Sequence, residues 1–209
     1  ELWGIKIGPI IAGLGLLGVA VALGAQDLFK NLISGMIIIS ENKFKINDVI
    51  EVPGFGLGTV EKIGFRSTTV RAFDSSPLFI PNNIVVDQAI SNFTDRRFRR
   101  INWTIGLEYS TKVENLQNIR DSIEDYIKNK SELFLVNNEY SCHVRLEKFN
   151  DSSIDLLIIC FANTNLWGDY LKIKEQLLLE IKKIVEIKNK SNFAFPSRTL
   201  YLESNNPLK

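Results

Sequence analysis

Charge is missing from the start of this chain. From Ile7 to Gln26 (IGPIIAGLGLLGVAVALGAQ) there is no Asp, Glu, Lys or Arg. At ~1.5 Å per residue these 20 or so residues span ~30 Å as a helix, the hydrocarbon thickness of a bilayer. Histidine is nearly absent too: His143 stands alone, so one chain cannot assemble a His-based metal site or catalytic pair. The two cysteines, Cys142 and Cys160, lie far apart in separate strand-like apolar runs. They read as structural thiols rather than a disulfide or ligand pair, which suits a reducing compartment. A net charge of +1 gives no electrostatic reason to expect nucleic acid or an anionic lipid surface as the principal partner. No nucleophile–base spacing, Gly-rich phosphate loop followed by Lys, or cluster of metal ligands stands out. Gly54, Gly56 and Gly58 form a G-x-G-x-G run with no helix start behind it, which is turn chemistry. No catalytic residue, metal or cofactor is expected.

What the apolar run does contain is glycine or alanine at nearly every second position. A soluble core helix fills space with leucine and isoleucine. A membrane helix tolerates glycine, because its backbone hydrogen bonds are internal and small residues let neighbouring helices approach. Gly8, Ala12, Gly15, Gly18 and Ala22 recur at three- or four-residue spacing, which suggests several copies packing around an axis. A signal peptide would need a basic start, a shorter apolar stretch and a cleavage pattern, whereas only Lys6 precedes this run. Lys30, Lys43 and Lys45 follow it, and the positive-inside rule then places the C-terminal part in the cytoplasm.

Beyond Gln26 the pattern changes. Leu28–Ile39 puts Leu28, Leu32 and Met36 on one stripe, Phe29, Ile33 and Ile37 beside it, and Lys30, Asn31 and Ser34 opposite. That reads as a short amphipathic helix lying along a membrane surface, with Asp27 as its N-cap and a kink at Gln26–Asp27. Gly35 is either a second bending point or an ordinary helix-packing glycine. The expected organisation is thus a transmembrane helix and interfacial helix over 1–40, a β domain over 41–95, an α/β domain over 96–195, and a C-terminal strand and tail over 196–209. In the β domain Val49–Val52, Gly58–Ile63, Thr68–Phe73 and Leu78–Pro81 read as short strands of a small barrel or sandwich, with a turn at Pro53–Gly56. The next hundred or so residues read β-α-β-β-α-β, a ferredoxin-like order. Thr111 and Glu114 form a capping box, and Val113, Leu116, Ile119, Ile123 and Tyr126 mark the buried face of the first helix. Cys142–Phe149 and Ser153–Ala162 form a hairpin around Asn150-Asp151. Leu171, Leu178, Ile181 and Val185 point a second helix, Leu166–Glu186, at the sheet, and Thr199–Leu202 is the last strand.

Taken together, GLGLLGVAVALGAQ, Asn31 with Leu32 and Gly35, GTVEKIGFRSTTVRAFD (Gly58–Asp74), IPNN (Ile80–Asn83) and NFTDRRFRR (Asn92–Arg100) resemble the small-conductance mechanosensitive channels, the MscS family. The resemblance implies a homoheptamer in the inner (plasma) membrane, with membrane lipids and permeating ions as its partners and no nucleic acid. Membrane tension would open it, releasing ions and small solutes on hypo-osmotic shock. Glycine- and alanine-rich helices would line the pore above a hollow cytoplasmic cage with side portals, and the C-terminal strands would close a small barrel at its base. Aligning Gln26 and Asn31 puts the family's two apolar gate rings at Val19 and Leu23. Ala12 and Ala20 would pack into notches at Gly15, Gly18 and Ala22 of the adjacent helix. Two departures stand out: Leu16 sits where a small residue is expected, and Asp27 where related channels can carry glycine at the kink. Family members also have at least two membrane helices before the pore helix, so the expectation is a protein longer than the residues from Glu1.

Rings of Val19 and Leu23 in a narrow throat would exclude water and so block ions without a plug. The other reading is filler facing lipid or a neighbouring helix. Arg96, Arg97, Arg99 and Arg100, with Phe98 and Trp103 nearby, admit three readings: a solvated interdomain linker near the portals, a bias of permeation toward anions, or a nucleic-acid patch on a membrane-tethered binding module.

Overall fold

The structure, a computed structural model, describes residues 7–196, so Lys6 and the expected strand Thr199–Leu202 lie outside the described residues. The chain divides into two compact units between Arg96 and Arg97.

The first unit begins with α1, Ile7–Glu41, a single helix of 35 residues. The helix runs through Gln26–Asp27 without interruption, so Asp27 is an interior helix residue rather than an N-cap. Its carbonyl accepts a hydrogen bond from Asn31 Nδ2 at 2.9 Å, a contact one helical turn long. The helix stops where Asn42 turns left-handed, at φ 51°. Five strands follow: β1 (Val49–Val52), β2 (Gly56–Ile63), β3 (Ser67–Ala72), β4 (Pro77–Pro81) and β5 (Ser91–Asn92). They form one antiparallel sheet in the order β4-β3-β2-β1-β5. The turn between β1 and β2 needs glycine, because Gly54 and Gly56 sit at φ 80° and 93°. Sequence reading missed β5 and the short helix α2 (Asn82–Asp87). Both are short, and each is fixed by what it packs on rather than by periodicity. Ile38 and Phe44, on and just after α1, join Ile50, Val52, Val60, Val70, Ile80 and Val85 in the core.

The lower part of α1 keeps the expected division into an apolar and a polar side. Asn31, Ser34, Gly35 and Ile38 are its buried residues, while Leu28, Phe29, Ile33, Met36 and Ile39 are exposed. The polar, small-residue side packs inward and the apolar side is left free.

The second unit contains β6 (Arg99–Leu107), α3 (Val113–Asn129), β7 (Phe134–Leu135), β8 (His143–Phe149), β9 (Ile154–Ala162) and α4 (Trp167–Lys182), which runs on into a π-helical segment, Lys183–Lys188. β9 is central, with β6 on one side and β7 and β8 following each other along the other. On the free edge of β6, Leu107 bridges Phe193, and Ala194 N donates to Gly106 O at 2.9 Å. This is the 4-1-3-2 strand arrangement of a ferredoxin-like fold, its fourth place held by an isolated bridge. The hairpin at Asn150-Asp151 forms as expected, closed by Asn150 N donating to Ser153 O at 2.8 Å.

Several finer expectations fail here. Lys112 is the N-cap of α3 and makes no side-chain cap bond, so Thr111 and Glu114 do not form a capping box. Val113 is exposed, and the inward stripe is Leu116, Ile119, Ile123 and Ile127. Leu171 and Leu178 face out, whereas Ile173, Leu177, Ile181 and Ile184 face in. The run Leu177–Leu179 offers three phases for one helix face, and the β-branched residues on either side select Leu177. Cys142 and Cys160 are free thiols, both buried.

A Cβ on Gly58 would stand 2.5 Å from Arg71 O and 2.7 Å from Val70 Cγ1 across the β2–β3 pair. Gly58→Ala is expected to cost about 1–3 kcal/mol, as overpacking does. It should read as a lowered thermal midpoint of the detergent-solubilised protein; an unchanged midpoint would show that β2 and β3 can separate freely.

Candidate pore helix and its anchor on the sheet

α1 is long and apolar enough to cross a membrane, with a mean hydropathy of 2.2 over its best window and none of that window buried. Val19 is 58% and Leu23 66% exposed, as are their neighbours all round the helix. A Cβ added at Gly8, Gly13, Gly15, Gly18 or Gly24 would meet nothing within 4 Å. Among the described residues nothing packs against these glycines.

Their angular positions do have an order. At about 100° per residue, Gly8, Gly15, Gly18 and Ala22 fall within an arc of about 80°. Gly13, Ala20 and Gly24 fall within a second arc of about 40°, on the far side of the helix axis. Val19 and Leu23 point into the sector between the two small flanks, as do Ala12 and Leu16, and Ile11 falls within the first flank. Ile10, Leu14, Leu17 and Val21 fill the remaining, bulky sector. Ala12 thus lies off the small flank that spacing alone assigned it to, while Ala20 lies opposite Gly15, Gly18 and Ala22.

Below this bare section, α1 is clamped by polar groups. Asn82, at the start of α2, is fully buried. Its Nδ2 donates to Gly64 O at 2.8 Å and Phe65 O at 3.1 Å, and reaches Asn31 O on α1 at 3.4 Å. Its Oδ1 accepts from Thr68 Oγ1 at 2.9 Å. Asn31 returns the contact, its Oδ1 accepting from Asn83 N at 3.1 Å. Gly35 makes this approach possible: a Cβ there would lie 2.7 Å from Asn82 Nδ2 and 3.3 Å from Gly64 O. Lys30 and Asp87 add an ion pair of 3.1 Å between α1 and α2, half-exposed and worth at most ~1 kcal/mol. Of the three expected bending residues, Gln26, Asp27 and Gly35, none interrupts the helix, and Gly35 serves close packing. The role of Asn82 was not readable beforehand; the IPNN motif was visible, but which atoms it would satisfy was not.

The basic run is not a free linker. Arg99 and Arg100 belong to β6. Arg99 Nε donates to Asn165 O at 2.9 Å, and its guanidinium lies over Trp167 (5.1 Å) and Tyr170 (5.6 Å). Arg96 stacks on Phe93 at 4.3 Å, and Arg97 and Arg100 are exposed. The uncovered face of the central strands carries Asn102, Thr104, Leu157 and Ile159, while Phe161 meets Tyr140 edge-on. A single-stranded nucleic-acid platform would present stacking aromatics on such strands. Elsewhere in the second unit, Glu124 is raised by burial but lowered further by hydrogen bonds from Lys128 and Arg145, so its carboxyl titrates below the usual range. Among the described residues no grouping of His, Cys, Asp and Glu could hold a metal ion.

Comparison with known proteins bears on this geometry directly. The family model for the mechanosensitive ion channel beta-domain matches residues 27–95, and that for the MscS C-terminal domain matches residues 101–189. An uncharacterised MscS family protein of Aquifex aeolicus is 45% identical over 201 residues, covering 96% of this chain and 53% of that protein. The small-conductance mechanosensitive channel MscMJ of Methanocaldococcus jannaschii is 36% identical over 203 residues, covering 97% of this chain and 56% of that protein. The chain therefore spans about half the length of these relatives. The crystal structure of Helicobacter pylori MscS in its closed state superposes with a TM-score of 0.76 at 25% identity, covering 97% of this chain and 76% of that one.

The Gly35–Asn82 contact yields a measurable coupling. Asn82→Ala removes the partner of three carbonyls and of the Thr68 hydroxyl, and is expected to cost about 1–3 kcal/mol. Gly35→Ala should destabilise the parent protein yet cost less in the Asn82→Ala background, because the Nδ2 it would strike is gone. A double-mutant cycle by urea unfolding should return a coupling of at least ~0.5 kcal/mol, and strict additivity would contradict the contact.

Proposed function

The chain belongs to the MscS family of mechanosensitive ion channels, and on that premise we propose that it forms the pore and cytoplasmic part of a channel opened by membrane tension. The observation that carries this reading is the arrangement of α1: two small-residue flanks on an otherwise bare apolar helix, with Val19 and Leu23 between them. A helix of that kind packs head-to-tail with copies of itself, one flank against the opposite flank of the next, and closes a ring. Every copy then turns Val19 and Leu23 toward the axis. The family premise makes the ring a heptamer, set in the inner (plasma) membrane with its C-terminal domains in the cytoplasm.

In a closed ring the two apolar layers, one helical turn apart, dewet the throat, and an ion cannot shed its hydration there. Tilting the helices outward widens it. The wider state occupies more membrane area, so tension shifts the population toward it. Ions and small solutes then leave the cell, which would relieve hypo-osmotic swelling. The exposed apolar side of the lower helix (Leu28, Phe29, Ile33, Met36, Ile39) suits lipid or a neighbouring copy. Arg97 and Arg100, exposed on the second unit, would favour anions along the permeation route. The alternative of a tethered nucleic-acid module draws no support from the strand face, where Phe161 is taken up by an edge-on contact with Tyr140, nor from Arg99, which is occupied.

Leu23→Ser should wet the throat. In patches of liposomes holding the full-length parent, the wild type is expected to give abrupt current steps only above a threshold suction. The Leu23→Ser channel should open at lower suction or leak at rest, and cells expressing it should grow more slowly. Wild-type threshold and growth in that variant would remove Leu23 from the gate, and a silent wild-type patch with the protein present would remove tension as the signal.

A further inference from the structure

The pairing of β8 with β9 runs His143 opposite Ile159 and Val144 opposite Ile158. Continued one step along this register, Cys142, the residue just before β8, would face Cys160. Alternation puts both side chains on the core side of the sheet with Val144 and Ile158, and they belong to one buried cluster, 6% and 0% exposed. Directly opposed residues of an antiparallel pair have Cα atoms about 4.5–5.5 Å apart, inside the range a disulfide accepts. The two thiols also sense each other electrostatically. We propose that Cys142 and Cys160 are a cross-strand redox pair that closes as an intrachain disulfide when the protein is exposed to a peroxide.

Cys142 is the point of attack. It sits at the surface end of the cluster, within the influence of Glu124, Lys128 and Arg145, whereas Cys160 lies wholly inside. Its sulfur attacks one peroxide oxygen. The O–O bond breaks, an S–O bond forms, and the other oxygen leaves as water with the thiol proton. Cys160 sulfur then attacks Cys142 sulfur. The S–O bond breaks, and the second oxygen leaves as water with the Cys160 proton. Two thiols and one peroxide give one disulfide and two waters. Burial pushes the Cys142 thiol up to about 11 and the Cys160 thiol up to about 12, so both are protonated at neutral pH. The pair therefore ignores brief exposure and closes under sustained oxidation. Closure fastens the segment between β7 and β8 to β9, where Tyr140 already meets Phe98 and Phe161 edge-on.

The test uses the full-length protein, purified reduced, treated with hydrogen peroxide at several pH values, then denatured and mapped by peptide mass. Both thiols should vanish together, with the Cys142 peptide joined to the Cys160 peptide of the same chain and dithiothreitol restoring both. The rate should rise about tenfold per pH unit between pH 7 and 9, following the thiolate fraction. Cys160→Ala should leave Cys142 to advance to sulfinic acid, and Cys142→Ala should leave Cys160 unmodified. Two titratable thiols after prolonged peroxide at pH 9, sulfinic acid on the wild type without linkage, or linkage between chains would each overturn the proposal. Because the wild-type map decides the matter alone, the answer does not depend on either variant folding, nor on channel activity.

Discussion

One carboxamide ties the apolar helix to the folded part of this protein. Asn82 places its amide among three backbone carbonyls and its oxygen on Thr68, and one of those carbonyls belongs to α1. A buried amide without partners is expensive, so this position tolerates little movement once the partners are assembled. Gly35 presents no Cβ where one would lie 2.7 Å from the Asn82 amide, and Asn31 answers from the helix. Because the polar side of the lower helix is the side that packs, its apolar side is available to whatever surrounds the protein. Burial by hydrophobicity alone would have turned the helix the other way.

Since α1 is continuous from Ile7 to Glu41, the clamp at Asn31–Gly35 and the sector of Val19 and Leu23 lie on one rod. In the channel proposed above, a tilt of the helix would reach the clamp directly, through hydrogen bonds of defined geometry. Hydrogen-bonded contacts of this kind have discrete good arrangements, which suits a two-state device better than a sliding one. The second unit carries its own core, built from β6, β9 and the inward stripes of α3 and α4, and its surface charge is held in local pairs such as Glu124 with Lys128 and Arg145.

What could be read from the sequence was whatever depends on neighbours along the chain. The apolar run announced a membrane-length helix, the alternating segments announced most of the strands, and Asn150-Asp151 announced its hairpin. The series of glycines and alanines marked sides of α1 that another helix could approach closely. Even so, spacing alone put Ala12 on the flank of Gly15, and only the angular positions separate them, because a step of three or four residues drifts about 40–60° from one turn to the next.

The tertiary structure decided everything that depends on a surface formed elsewhere. Asp27 would cap a helix only if the backbone broke there, and packing of Asn31, Ser34, Gly35 and Ile38 keeps it helical instead. Leu177 rather than Leu178 enters the core because Ile173 and Ile181 already set the phase. Cys142 and Cys160 are distant in the chain and share one buried cluster because strand register, a property of two segments together, brings them there. Helix and strand periodicity are written into each segment. Which face is buried depends on a partner surface that distant segments must build, and no single segment carries that information.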